Sequence, residues 1–377
     1  MSSNPNLNLT KSKQYFIYLI LALAITLNGC NSSPKGFVIK GFIDGVEPQI
    51  LDGILYLRHS KNGTLPIDSA VVKEGEFLLQ GHIDIPDKYL LIIKGIPNAI
   101  PLFLENDKYS VRGDSKNLRD AVVSGGVSNR LFLLTNHKNR VIYQKYNLDV
   151  VLKRLVELPP LDSTRESFEN SLDSANYTMR EFIDSLVSSN PLTFYSLHNL
   201  MANSRSAKLS LVEAELEVFR ADSVFIKHPF YEEISNNIEI RTKLLPGKVA
   251  PLFSLYDSNS KLRSIADHFS SSSATILIFC SLWNDASIEY CRSIRDAYDS
   301  LADKNINVVS VAINSNLMEW NSINKKEKFK WVQLFDRTDS AVNVLYNVQT
   351  IPRAFLLDSL GVIINSNIQL KDLDSLI

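Results

Sequence analysis

The chain has 377 residues, of which 45% are hydrophobic and 21% are charged, and its formal net charge is −1. This composition is ordinary for globular protein, and at roughly 150 residues per domain the length predicts two or three domains. The balanced charge lacks the basic surface of a nucleic-acid-binding protein, so we expect no nucleic-acid partner. The six histidines are scattered without zinc-ligand spacing. We therefore expect no metal site, and no motif indicates a cofactor.

The start of the chain has the pattern of a lipoprotein signal peptide, predicted to cover residues 1–29. A basic segment precedes thirteen residues, 15–27, that are almost all apolar and too few to span a bilayer comfortably. Leu-Asn-Gly then precedes Cys30, which resembles a bacterial lipobox. Lipid on Cys30 would anchor the chain, because acyl chains contribute ~0.8 kcal/mol per buried methylene. Residues 30–36 would be the lipidated tether of a protein that faces the periplasm; the alternative is an ordinary signal peptide with an unrelated cysteine.

Residues 37–128 consist of short apolar segments separated by Gly, Pro, Asn and Asp. This pattern predicts an antiparallel β-sandwich or barrel-like module, with a hairpin turn in which Gly75 supplies a positive φ. Its recognisable sequence features are 68–72, Gly75, Phe77, 103–106, Gly125, Gly126, Ser128 and Asn129. On these features the segment resembles an N-terminal module of unknown function that precedes thioredoxin-like domains in envelope lipoproteins of Gram-negative bacteria.

Residues 129–245 change to apolar spacings of three and four, which predict a helical linker domain. Ser163 and Glu166 have the spacing of a helix-capping box, and Pro229 suits the first turn of a helix. The aromatic residues of the region follow the helical spacing, which favours a place in the core over a ligand groove.

Residues 246–377 alternate between strand and helix patterns. They contain in order the motif Gly-Lys-Val-Ala-Pro-Leu-Phe-Ser-Leu at 247–255, an apolar run at 276–279 that leads to a Trp, and Thr-Ile-Pro at 350–352. Together these motifs resemble the TlpA/ResA and AhpC-TSA redoxin branch of the thioredoxin superfamily. The resemblance implies a C-terminal thioredoxin-like α/β domain with a cis-proline site at Pro352. The whole chain is then a multidomain α+β protein.

The chemistry of this family depends on a W-C-x-x-C turn, in which the first Cys attacks as a thiolate at a helix N-terminus. Here Trp283 is followed by Asn284 and Ser287 at the two thiol positions. Asn cannot form a thiolate and Ser cannot resolve a disulfide, whereas Asn284 or Asp285 suits the N-cap of the next helix. The sequence therefore predicts a degenerate site that has lost its redox activity.

Cys280 and Cys291 are the remaining candidates for catalysis. Cys291 lies on the apolar helix face and is expected to be a small buried side chain. A sheet and a helix layer are separated by on the order of 10 Å, while a disulfide needs Cα atoms within about 7 Å, so the layers argue against a bond. The alternative function, which stays open, is a thiol–disulfide oxidoreductase or antioxidant protein of the TlpA/ResA type that uses one or both cysteines.

The family's partner groove corresponds to Trp283, Ile351, Pro352 and Arg353, which can bind an extended segment without redox chemistry. Arg353 at its rim is suited to a carboxylate, although a solvated arginine is the simpler interpretation. We expect a binding or accessory role with an envelope protein or peptide as partner.

Overall fold

The computed structural model describes residues 35–45, 53–61, 65–158, 162–270, 272–281, 283–313, 317–336 and 341–373. The predicted signal peptide and Cys30 lie outside the described residues. The chain forms two compact units, which divide between Ser196 and Leu197. None of the helices in the described part combines the length and apolar character that crossing a bilayer requires.

The N-terminal unit begins with eight strands. They are β1 (Phe37–Asp44), β2 (Ile54–His59), β3 (Asp68–Val71), β4 (Glu76–Gly81), β5 (Asp87–Ile93), β6 (Ile100–Leu104), β7 (Lys108–Asp114) and β8 (Val122–Ser124). They form two four-stranded sheets with the orders β4-β1-β7-β8 and β3-β2-β5-β6. The pairs are antiparallel except β1 with β7, which is parallel. Alternate side chains of both sheets, such as Ile39 and Leu91, share one apolar core.

The predicted β-rich N-terminal module is thus confirmed. The predicted turn is present between β3 and β4, where Glu74 and Gly75 have φ values of 54° and 85°. It connects the two sheets rather than two paired strands, because β3 pairs with β2 and β4 pairs with β1, so the hairpin itself was predicted wrongly. The parallel pairing of β1 with β7 could not be seen in the sequence, since residue alternation is the same in both directions of pairing.

Helices follow the sheets. The first four are α1 (Val127–Lys145), α2 (Leu148–Glu157), α3 (Arg165–Ser189) and α4 (Phe194–Asn203), and α4 continues across the division between the units. Leu131 and Phe132 of α1 pack with Phe103 of β6 in one apolar cluster. A second cluster joins α1, α2 and α3 through Ile142 and Ala175.

The predicted capping box at Ser163 is wrong. Helix α3 begins at Arg165, and its N-cap residue Thr164 makes no side-chain capping bond. Asp162 organises the turn instead, since its carboxylate accepts the Thr164 N–H at 2.8 Å and the Thr164 hydroxyl at 2.6 Å. An acidic side chain two residues before the N-cap thus makes the local hydrogen bonds that the serine was expected to make.

The C-terminal unit contains the remaining elements. Its helices are α5 (Leu209–Val218), α6 (Ser223–Ile226), α7 (Pro229–Lys243), α8 (Asp285–Asp303), α9 (Leu317–Glu327), α10 (Ala341–Leu345) and α11 (Leu370–Leu373). Its strands are β9 (Ser254–Asp257), β10 (Leu262–Ser264), β11 (Ala274–Cys280), β12 (Ile306–Ile313), β13 (Val332–Asp336), β14 (Arg353–Asp358) and β15 (Ile363–Asn365). Pro229 occupies the first turn of α7, as predicted.

These strands form one sheet with the order β10-β9-β13-β12-β11-β14-β15. Strands β11, β12 and β13 are mutually parallel, and β14 runs antiparallel to β11. Every residue of β11 is buried, because apolar clusters cover both faces of the sheet. The predicted α/β fold of this region is confirmed. The boundaries of the proposed linker domain stay a prediction, and its helices are divided between the two units.

Candidate functional site

The candidate site lies where β11 ends and α8 begins. Parallel strands present their carboxyl ends at one edge of a sheet, which is where α/β proteins bind ligands. The described residues of this turn include Trp283, whose side chain is 68% exposed. An aromatic side chain that is so exposed beside buried residues offers apolar area to a partner.

Asn284 is the N-cap of α8, as predicted. Its backbone is extended, with φ −112° and ψ 111°, and its side-chain oxygen accepts the Ser287 N–H at 2.8 Å. The bond satisfies one of the backbone N–H groups that a helix N-terminus leaves without an intrahelical partner. The residue at the first thiol position therefore holds the helix start in place.

Ser287 lies one turn further on and is 1% exposed. Its hydroxyl oxygen has no hydrogen-bond partner within the described chain. A buried hydroxyl cannot exchange with a disulfide, so the second thiol position carries no redox chemistry.

The cis-proline loop lies beside this turn. The Ile351–Pro352 peptide bond is cis, and Ile351, Pro352 and Arg353 are all half-buried. Arg353 pairs with Phe279 in the antiparallel ladder, so Pro352 lies next to the end of β11. Trp283 and the cis-proline thus stand at the same edge of the sheet.

Arg353 is held against the sheet rather than extended into solvent. Its guanidinium lies 5.3 Å from the centre of the Phe355 ring, in the geometry of a cation–π contact. Burial lowers the pKa of Arg353, and its Nε has no hydrogen-bond partner within the described residues. This nitrogen is itself buried, so the base of the guanidinium is fixed at the sheet edge and out of solvent.

A second arginine, Arg205, holds the chain just before the cis-proline loop. Its Nε donates to the Asn347 side-chain oxygen at 3.1 Å, and the Asn347 amide donates to the Arg205 carbonyl oxygen at 2.9 Å. In the amide orientation that satisfies both groups, the Gln349 oxygen accepts from two Arg205 nitrogens at 2.9 and 2.8 Å. Sequence patterns did not reveal this contact, because its partners are 142 residues apart.

Both cysteines of the C-terminal unit are buried with free thiols. Cys280 is 1% and Cys291 is 3% exposed. The hydrogen bond with the Cys291 side chain, followed by burial, raises the pKa of the Cys280 thiol well above its ordinary value. Both side chains belong to the apolar cluster between the sheet and α8, and both thiols are free. The argument that the layer spacing disfavours a disulfide between them stays a prediction.

Two family models match separate parts of the chain. Residues 272–363 match the family model described as thioredoxin-like. The C-terminal domain is thioredoxin-like. Residues 37–132 match the model of a domain of unknown function, DUF4369, as the sequence predicted for the N-terminal module. No curated protein matches the chain.

Solved structures similar to the thioredoxin-like domain include three bacterial proteins. A domain of a possible thiol-disulfide isomerase from Cytophaga hutchinsonii is 25% identical, with 35% of this chain and 89% of that chain covered and a TM-score of 0.32. The thioredoxin domain of a thiol-disulfide oxidoreductase from Bacteroides vulgatus is 20% identical, with coverages of 35% and 94% and a TM-score of 0.32. A thiol:disulfide interchange protein from Bacteroides sp. is 20% identical, with coverages of 35% and 88% and a TM-score of 0.32.

Proposed function

We propose that the protein is a lipid-anchored protein of the bacterial cell envelope whose thioredoxin-like domain binds an extended segment of a partner and carries out no thiol–disulfide exchange. The observation that carries this proposal is the helix start of α8, where Asn284 caps the helix and Ser287 is buried at the two positions that bear thiols in the family. A lipid on Cys30, in the lipobox-like sequence, would supply the anchor.

The buried cysteines support a site without redox activity. Thiol–disulfide exchange requires a thiolate that a partner disulfide can reach. Cys280 has a raised pKa and almost no exposed surface, and Cys291 is nearly as buried. Neither sulfur is placed to attack a partner in the folded protein.

The exposed Trp283 and the half-buried cis-proline loop support a binding role. An extended segment can lie along such a loop with its backbone hydrogen-bonded and one apolar side chain against the indole. Buried aromatic side chains contribute strongly to interfaces once water is excluded. The Arg353 guanidinium, which lies over the Phe355 ring, adds a positive charge at the same edge.

Activity is tested by insulin reduction with residues 31–377, which omit the predicted signal peptide and Cys30. We expect no turnover above the uncatalysed rate from the wild type. The matched variant carries Asn284→Cys and Ser287→Cys, which restores the family's two thiols at a helix N-terminus and is expected to gain activity. Wild-type turnover that Cys280→Ala or Cys291→Ala abolishes would overturn the proposal in favour of the TlpA/ResA-type oxidoreductase.

Binding is tested with reduced, carboxymethylated α-lactalbumin as an unfolded protein probe. We expect saturable binding that Trp283→Ala weakens at least roughly tenfold, the size of a hot-spot truncation. Leu360→Ala is the matched control, since Leu360 is also exposed, at 78%, but lies in the turn before β15. Equal affinity of the wild type and Trp283→Ala would show that the groove is not the recognition surface.

A further inference from the structure

A groove, the α1 groove, lies between the end of β8 and the N-terminal half of α1 in the N-terminal unit. It encloses about 540 Å³, and Val123, Val127 and Leu134 are among its lining residues. Arg130 and His137 line it as well, and both are exposed. The α1 groove thus combines apolar walls with basic side chains.

An apolar row continues from the groove along α1. Val127, Leu134 and Val141 recur every seven residues, so they lie along one side of the helix. Their side chains are between 43% and 47% exposed, while Leu131 and Ile142 pack α1 into its unit. A contiguous exposed apolar row of this kind is typical of a surface that contacts a protein or a membrane.

The charge of α1 is one-sided. The helix has no acidic residue, and its four basic residues are Arg130, Lys138, Arg140 and Lys145. Two acidic residues lie nearby, Asp107 in the groove lining and Asp120, which is 3.8 Å from Arg140, so the surface keeps a net positive charge. Like charges disfavour pairing with α1 of a second copy, whereas anionic headgroups complement this surface.

The chain enters the module at the same end as the α1 groove. Val38, at the start of β1, donates its N–H to the carbonyl oxygen of the groove residue Asp107 at 3.0 Å. Cys30, the predicted lipid attachment site, is seven positions before Phe37, the first residue of β1. Seven residues reach at most about 25 Å when fully extended. A lipid on Cys30 would therefore keep this end of the module close to the bilayer.

We propose that the α1 groove and the apolar row of α1 dock on the anionic phospholipid headgroups of the membrane that holds the lipid anchor. The apolar side chains enter the headgroup region, and the basic side chains lie beside the phosphates. This second contact fixes the orientation of the N-terminal module, because a flexible tether alone leaves the module free to rotate. The choice of membrane rests on the envelope location proposed above, whereas the charge and the apolar row belong to the folded module itself.

The test is co-sedimentation of residues 31–377 with phospholipid vesicles. This chain lacks Cys30, so binding is measured without an anchor. The probe vesicles contain roughly three parts of phosphatidylethanolamine to one of phosphatidylglycerol, and neutral vesicles of phosphatidylcholine are the control. We expect binding to the anionic vesicles that weakens as salt screens the headgroup charge. Absent binding, or equal binding to both kinds of vesicle, would overturn the proposal.

The apolar row is tested with Leu134→Glu. We expect the partition coefficient on anionic vesicles to fall at least about tenfold, because the variant places an acidic group against the headgroups. Val71→Glu is the matched control, since Val71 is also exposed but lies at the other end of the module. There the turn that follows it meets the end of β1, where the Ile43 N–H donates to the Gly75 oxygen at 2.8 Å. Equal losses in the two variants would show that the row is not the contact surface.

The basic side chains are tested with Arg130→Ala, which is expected to weaken partitioning about fivefold, the effect of one basic residue near an anionic surface. Arg119→Ala is the matched control, because Arg119 is exposed beyond the end of β7, whereas the groove lies at the start of that strand. Equal losses would assign binding to overall charge and overturn the docking surface. If Leu134→Glu fails to fold, this second pair still decides.

Sedimentation velocity without vesicles tests the other occupant of the surface. We expect residues 31–377 to be monomeric. A dimer that Leu134→Glu dissociates, together with no vesicle binding, would overturn the proposal in favour of a second copy. None of these readouts depends on the lipid anchor or on Trp283, so failure here is distinct from failure of the proposed function.

Discussion

Replacement of Asn284 by Ala is expected to destabilise the C-terminal unit by removing the cap of α8. The lost bond is the 2.8 Å contact to the Ser287 N–H, and N-cap truncations of this kind cost ~1 kcal/mol. Such a loss raises the unfolding constant about fivefold. For a unit of this size it lowers the melting temperature by roughly 2–4 °C.

The assay is thermal or urea unfolding followed by tryptophan fluorescence. The chain has three tryptophans, Trp283, Trp320 and Trp331, and all of them are in the C-terminal unit, so the signal reports that unit alone. Asn284→Asp is the matched control, because Asp accepts the same bond and also suits the positive end of the helix dipole. If the Ala variant is as stable as the Asp variant, the cap is not what Asn284 contributes.

Three further outcomes are expected. Arg205→Ala should destabilise the C-terminal unit by about 1–3 kcal/mol, because charge-assisted hydrogen bonds are lost. The control Arg220→Ala, which removes an exposed ion pair, should cost at most about 1 kcal/mol. Similar losses of stability in the two variants would contradict the role of Arg205. Hydrogen bonds from Arg292 lower the pKa of Glu327 in the folded protein. The ionised Glu327 therefore contributes its full stabilisation above the pKa it has in the unfolded chain, and this stabilisation disappears as the pH falls through its pKa in the folded protein. Glu327→Gln should therefore flatten the acid limb of the stability–pH curve, and an unchanged limb would refute this. Gly125→Ala should strongly destabilise the N-terminal unit, since a Cβ there would lie 2.0 Å from the Lys108 oxygen. Gly45→Ala, also at positive φ but with its nearest contact at 3.0 Å, should lower the stability less. Thermal unfolding monitored by circular dichroism measures both losses, and the reverse order would be inconsistent with the packing.

The sequence predicted the features that depend on local pattern. Apolar alternation and turn residues indicated the β-rich module, and the run before Trp283 indicated the central strand of the α/β domain. Residue type and position limited the helix cap to Asn284 or Asp285, and the structure assigns it to Asn284.

Features that depend on contacts between distant residues were not predictable. Cys280 and Cys291 lie in the same apolar cluster because the strand end and the second turn of α8 point into the same layer, which depends on helix rotation as well as on layer spacing. The Arg205 contacts required knowledge that residues 142 positions apart are neighbours. The parallel β1–β7 pair likewise depends on chain path, which alternation does not encode.

The Arg205 contacts also bear on how the thioredoxin-like domain can be transplanted. The family match begins at residue 272, yet Asn347 and Gln349, which lie just before the cis-proline loop, take hydrogen bonds from a residue far upstream of it. A graft limited to the matched segment would leave these two amides without their donor. Chimeras that exchange such domains between proteins should therefore begin near Leu197, at the border of the compact unit, rather than at residue 272.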